Sequence, residues 1–148
     1  MEDTHPFWLK SLLLLLIALT LTTFAIHPVA AATITVDDSG GEDHTTIQAA
    51  IDNATPGDTI KVYPGTYNEN VDVNKQVNIT STGGAAVTNV IAALYSDHVF
   101  EVTADNVAIS GFNVGGAAAY PNAGIYLGSS SNGILINNTA SNNTYYGI

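Results

Sequence analysis

Two short segments of this chain can be laid over one another: NVAISGFNV, residues 106–114, and NGILINNTA, residues 132–140. Each opens on asparagine, carries aliphatic side chains in period two, and reaches a second apolar burst after a Gly or Asn. Period two sends alternate side chains to opposite faces of a strand, so each segment predicts short strands meeting at a tight corner. A second overlay follows: AGIYL, around Ile125, matches YGI at the end of the chain, with Gly147-Ile148 lying 23 positions after Gly124-Ile125. The insert GGAAAYPN, residues 115–122, lengthens the first of these turns.

A period of twenty-odd residues with Gly or Asn at the corners is the mark of a solenoid of strands. Successive coils would stack at the ordinary sheet spacing of about 4.8 Å around a dry column of Ile and Val. Asparagine suits the corners because it tolerates left-handed backbone angles and can bond to the next coil. Asn132, Asn137, Asn138, Asn142 and Asn143 fit that role. A β-sandwich also shows short alternating strands and turn signals, so the repeat by itself leaves both folds open.

Working outward, short β-branched bursts, mostly in the same alternation, recur from Thr33 on. The pairs are Ile34 and Val36, Ile60 and Val62, Val71 and Val73, Val77 and Ile79, Val99 and Val102, Val107 and Ile109, Ile125 and Leu127, and Ile134 and Ile136. Only TTIQAAIDNA, residues 45–54, departs from it. There Ile47, Ala50, Ile51 and Ala54 fall at i, i+3, i+4 and i+7, one face of a helix. Thr45 and Gln48 have capping-box spacing, and Pro56-Gly57 stops the helix. A solenoid needs a cap over its open end, and a short amphipathic helix ahead of the first coils supplies one. The helix decides for the solenoid over the sandwich. At the other end Ile148 falls in mid-repeat, which reads as a chain truncated there.

The front of the chain predicts export. SLLLLLIALTLTTFAI, residues 11–26, is an apolar run behind a lone Lys10, and VAAAT follows with small residues at peptidase spacing. Residues 1–32 are therefore expected to be a signal peptide cleaved after Ala31 or Ala32, with an uncleaved anchor as the alternative, since Glu2 and Asp3 are untypical of a leader. Residues 33–148 are then the cap and first coils. The predicted location is secreted or cell-surface, with membrane contact only through the leader.

The exported part keeps Lys61 and Lys75 against eleven of the chain's 13 acids, and there is no arginine. Such a surface repels phosphate backbones and excludes a nucleic-acid partner. No cysteine is present, so stability must come from packing and backbone hydrogen bonds.

Residues 45–84, TTIQAAIDNATPGDTIKVYPGTYNENVDVNKQVNITSTGG, resemble the N-terminal portion of right-handed parallel β-helix proteins of the pectin-lyase-like class. VAISGFNV and NGILINNTASNN resemble the generic repeats of exported archaeal and bacterial surface proteins and of the copper-delivery accessory protein of nitrous-oxide reduction. The resemblance implies an all-β fold, a right-handed parallel β-helix with an N-terminal capping α-helix. It leaves activity open, because this architecture hosts lyases, hydrolases, esterases and adhesins alike.

For pectin methylesterases, which share the PGTY-then-ENV pattern, the resemblance implies a glutamine before the AGIYL strand, two aspartates and an arginine. The chain departs from this with Asn122-Ala123 before Gly124 and Asn142-Asn143-Thr144 at the later turn. The calcium-dependent lyases of the fold imply an acidic cluster and an arginine base. Asn78, Thr80, Ala108 and Ser110, expected to face outward, supply no acids. No catalytic residues are assigned.

Copper would need clustered His, Cys or Met, and the exported part has His44 and His98 alone. In DDSGGEDH, residues 37–44, the oxygens of Asp37, Asp38, Ser39, Glu42 and Asp43 could surround calcium on a glycine-flexed loop. The competing reading makes the stretch a link, with Glu42 and Asp43 beside the helix's free amides. No cofactor is assigned, calcium being the alternative. Tyr63, Tyr67, Tyr120 and Tyr126 could stack on sugars or simply pack. Asn78, Asn137 and Asn142 open Asn-x-Thr sequons suited to glycosylation, and Asn53 opens a poorer one ahead of Pro56. The function expected is an exported, non-catalytic β-helix module with a structural, adhesive or glycan-contacting role and polysaccharide or cell-envelope partners. The alternatives are part of a polysaccharide-active enzyme whose catalytic coils lie beyond residue 148, and a copper accessory protein.

Overall fold

The computed structural model describes residues 30–148. The apolar run of the predicted leader lies outside the described residues.

The first strand, β1 (Thr33–Val36), leads through a loop into the helix α1 (Ile47–Asn53). Three coils follow: β2 (Thr59–Val62), β3 (Gly65–Asn68) and β4 (Val71–Val73); β5 (Asn78–Ser81), β6 (Thr88–Ile91) and β7 (Phe100–Val102); then β8 (Ala108–Ser110), β9 (Asn113–Gly115) and β10 (Ile125–Leu127). The fourth holds β11 (Ile134–Ile136), β12 (Thr139–Ala140) and a bridge between Ala123 and Tyr146. The strands assemble into three sheets in the orders β1-β2-β5-β8-β11, β3-β6-β9-β12 and β4-β7-β10. Every pairing between these strands is parallel, so the described residues form a parallel β-solenoid, as the periodicity predicts.

The register reproduces both sequence overlays. Ala108 pairs with Ile134 and Asn113 with Thr139, an offset of 26, while Ala123 bridges to Tyr146, an offset of 23. Coil length is set by the turns rather than the strands. Thr59 pairs with Asn78, 19 residues on, whereas Asn78 pairs with Ala108, 30 residues on.

Register makes columns of like side chains inside. Ile34, Ile60, Ile79, Ile109 and Leu135 stand one above another. Tyr67, Val90 and Val114 form a second column, and Val71, Phe100 and Ile125 a third. Ile60, Ile79, Ile109, Val90, Val114, Val71, Phe100 and Ile125 are all essentially fully buried. Each buried aliphatic contributes about 1.5–3 kcal/mol of transfer free energy.

One parity expectation fails. Ile134 and Ile136 were expected inward, yet they are 53% and 51% exposed, and Leu135 packs on the core. The overlay already placed Leu135 above Ile109; in the run Ile-Leu-Ile the composition cannot tell the faces apart, and register with β8 decides.

The open end of the first coil is closed in three different ways, one per sheet. β1 adds a true strand to β2. The β3 edge is met by the loop after β1, where Asp38 Oδ2 accepts from Thr66 N at 2.8 Å. Gly65 lets that carboxylate approach, since a β-carbon there would come within 2.6 Å of Asp38 Cγ. The β4 edge is met by α1. Gln48 Oε1 accepts from Asp72 N at 2.8 Å and Gln48 Nε2 donates to Asp72 O at 3.4 Å, imitating the missing strand.

Helix α1 is capped by Thr46, whose hydroxyl accepts from Ala49 N, rather than by Thr45. Its first amides go to neither Glu42 nor Asp43. Glu69, in the turn before β4, accepts from Ile47 N at 2.8 Å and from Gln48 N at 3.0 Å through its two oxygens. At the other end Lys75 Nζ donates to the carbonyls of Ile51, Asp52 and Ala54 at 2.7–3.0 Å. Among the described residues no helix is long and apolar enough to cross a membrane.

Candidate functional site

The outward face of the β4-β7-β10 sheet carries Asp72, Glu101 and Tyr126 in one register column. In VDV and FEV the flanking apolar residues point inward, which leaves the acids facing solvent. The outward residues singled out in the sequence, Asn78, Thr80, Ala108 and Ser110, lie on the β1-β2-β5-β8-β11 sheet instead. The alternation around Asp72 and Glu101 was the signal that could have found them. Asp72 and Glu101 line a depression of about 270 Å³ together with Asn74 and Thr103.

Beside it, Tyr126 lies flat against His98, with ring centroids 4.3 Å apart and planes within 7°. His98 is held from below: its Nδ1 accepts from Ala123 N at 2.9 Å, and Asn70 Nδ2 donates to its carbonyl at 2.7 Å. An Nδ1 that accepts leaves the proton of the neutral ring on Nε2, a fixed donor at the slab's edge. Tyr126 is 43% exposed. The slab forms one wall of a groove of about 540 Å³ that Pro121, Leu127 and Tyr146 also line. The site therefore offers a flat aromatic face, a ring donor, and two carboxylates with an amide and a hydroxyl along the same face. Aromatic faces take up the C–H faces of pyranose rings, and carboxylates and amides bond to ring hydroxyls.

The other residues singled out in the sequence lie elsewhere. Tyr63 gives its carbonyl to the Tyr67 hydroxyl at 2.9 Å. Tyr67 itself is 2% exposed, and burial pushes its hydroxyl up to about 12, so it is core rather than a sugar platform. Tyr120 is exposed and meets Tyr145 edge-on, with centroids 5.2 Å apart. Asn122 is buried beside Ala123 in the turn leading to β10. His44 bonds to Asn53 of the helix through Nε2, whereas His98, ahead of β7, bonds to Ala123 N.

Asp37, Asp38 and Asp43 accept hydrogen bonds in and around the cap. Asp37 Oδ1 accepts from Ser39 N and Oγ at 2.9 and 2.6 Å, bonds that hold its carboxyl below the usual value. Asp43 Oδ2 accepts from Thr35 N and Oγ1 at 2.8 and 2.7 Å, with the same consequence. Asp38 binds the β3 edge, and Glu42 is exposed. Three of the four carboxylates thus point at backbone rather than at one shared centre. Among the described residues no group of three or more His, Asp or Glu side chains is placed to hold a metal ion.

No family model matches the chain. It is 33% identical over 129 residues, 86% of its length, to a protein named "Cell surface glycoprotein" from Methanothermus fervidus. The chain spans 21% of that protein's length. That name speaks of the cell surface and of attached sugar.

Proposed function

We propose that this chain is an exported, non-catalytic module of a cell-surface protein, and that the outward face of the β4-β7-β10 sheet contacts neutral glycans. The surface assignment draws on the likeness to the archaeal cell surface glycoprotein across 86% of the chain. The glycan contact rests on one observation, the stacked Tyr126–His98 slab in register with Glu101 and Asp72.

Charge selects among glycans. The net charge is −10, Lys61 lies on a different sheet, and Lys75 is taken up by three helix carbonyls. An acidic polymer such as polyuronate is repelled, while a neutral hydroxyl-rich chain brings donors to the carboxylates.

The outward pair Asp72 and Glu101 favours a second reading, a polysaccharide-active enzyme, since two carboxylates on neighbouring strands are what glycoside hydrolysis uses. Two measurements test the proposal, and the second separates the readings. Protease treatment of intact producing cells should remove the chain, and neutral glucans, mannans and polyuronate incubated with it should release no reducing ends. Retention of the chain inside protease-treated cells would refute the surface assignment. Turnover lost in Glu101→Gln would replace the module by the enzyme.

A further inference from the structure

The asparagines of the last coil divide into two kinds. Asn138 and Asn143 staple their coil to the one before. Asn138 Oδ1 accepts from Phe112 N at 3.0 Å and its Nδ2 donates to Ile109 O at 2.8 Å. Asn143 repeats this with Ala117 N at 3.1 Å and Val114 O at 3.1 Å. The residues just ahead of them, Asn137 and Asn142, behave differently. Both are exposed and left-handed, with φ of 54° and 56°. Among the described residues neither side-chain amide has a hydrogen-bond partner.

In the preceding coil the matching positions are Gly111 and Gly116, both with positive φ. The third residue of each sequon, Thr139 or Thr144, is exposed, with no side-chain hydrogen bond among the described residues.

The other two sequons lack this arrangement. Asn53 ends the helix and bonds to His44 at 3.0 Å, and the Thr55 hydroxyl donates to Asp58 at 2.9 Å. Asn78 is exposed but sits in β5, paired to β2 on one side and β8 on the other. The Thr80 hydroxyl accepts from Ser110 Oγ at 2.9 Å. Motif alone makes these sequons equivalent; geometry does not.

We infer that Asn137 and Asn142 are N-glycosylation sites of the folded chain, one at each end of β12, and that Asn78 and Asn53 are closed to modification once the coils have formed. The two sites flank the two-residue strand β12, each at a left-handed corner. The donor is an oligosaccharide carried on a polyprenyl diphosphate. In the transfer the bond from the anomeric carbon to the diphosphate oxygen breaks, its electron pair leaving with the polyprenyl diphosphate. The anomeric carbon forms its new bond to Asn Nδ2, and the amide proton displaced there passes to solvent.

The test takes the purified, unmodified full chain with a single-subunit archaeal oligosaccharyltransferase and a polyprenyl-diphosphate oligosaccharide, read by intact mass and glycopeptide mass spectrometry. The folded chain should gain two oligosaccharides, on the peptides holding Asn137 and Asn142. Thr139→Ala and Thr144→Ala should each remove one while leaving the corner asparagines untouched. A urea-unfolded sample should gain oligosaccharide at Asn78 as well. Absence of transfer to Asn137 and Asn142, or equal transfer to Asn78 in the folded chain, would overturn the inference. Neither result bears on the groove at Tyr126, which is read by ligand titration.

Discussion

Removing the Glu69 carboxylate should unseat the helix from the solenoid, although the residue lies 22 and 21 positions from the two amides it holds. Its two oxygens satisfy Ile47 N and Gln48 N at 2.8 and 3.0 Å, the first bond buried and the second partly so. Glu69→Ala leaves both donors without a protein partner. A buried orphan donor costs about 1–3 kcal/mol, and water reaches the Gln48 amide more easily, so the pair should cost about 3 kcal/mol. At about 2.1 cal/mol/K per residue over the described part of the chain, that lowers Tm by about 12 °C. Glu69→Gln keeps one acceptor but turns an NH2 toward the other amide, and about half of the loss should remain.

The pH dependence carries the sharper test. Burial raises the Glu69 carboxyl above its ordinary value, against the pull of the two amides. The folded chain then binds this proton more tightly than the unfolded chain does. The associated stability is fully present below the unfolded value, near 4.5, and is lost as pH rises through the folded one. The advantage of the native protein over Glu69→Gln should therefore be larger at pH 4 than at pH 7, measured by urea denaturation. An advantage that shrinks on acidification would mean that the amides outweigh burial. A Tm unchanged in Glu69→Ala would refute the capping role altogether.

Three further outcomes follow from the register and the corners. Asn138→Ala and Asn143→Ala each remove a two-ended staple and should each cost about 1–3 kcal/mol in urea denaturation, whereas Asn137→Gly should change stability by less than about 1 kcal/mol. Leu135→Ala should cost about 2–4 kcal/mol while Ile134→Thr should stay within about 0.5 kcal/mol, and the reverse order would contradict the parity of β11. Asp58 accepts from Thr55 N, Ala32 N and the Thr55 hydroxyl, which hold its carboxyl below 3.8, so its contribution is present above the unfolded value and is lost as pH falls through the folded one. In Asp58→Asn that part of the acid-unfolding transition, followed by circular dichroism, should disappear.

Local pattern carried the solenoid because its units are local. Short strands, corners and coil offset could be read from residues 106–140, and the offsets of 26 and 23 are those the sheets adopt. What the sequence concealed depends on contacts between coils. Glu69 lies in a turn with nothing nearby to mark it as a helix cap, and Asp38 belongs to a loop whose partner is 28 residues on. Both join the cap to the first coil, a contact that exists only once register is fixed. Ile134 and Ile136 misled because a run of three aliphatics has no parity of its own. The candidate groove was half legible: Tyr126 was among the named tyrosines, but its pairing with His98 joins two successive coils. In residues 37–44, composition shows only a cluster of acids, whereas Asp37, Asp38 and Asp43 each have a separate backbone partner.

Contact between neutral glycan and Tyr126 with its neighbours can be read by isothermal titration of a neutral hexasaccharide into the native chain and into Tyr126→Ala, with a hexauronate in parallel. Association with the neutral ligand, weakened at least tenfold in Tyr126→Ala and absent for the uronate, is the predicted result. Equal affinity of the two proteins for the neutral ligand, or tighter binding of the uronate, would contradict it.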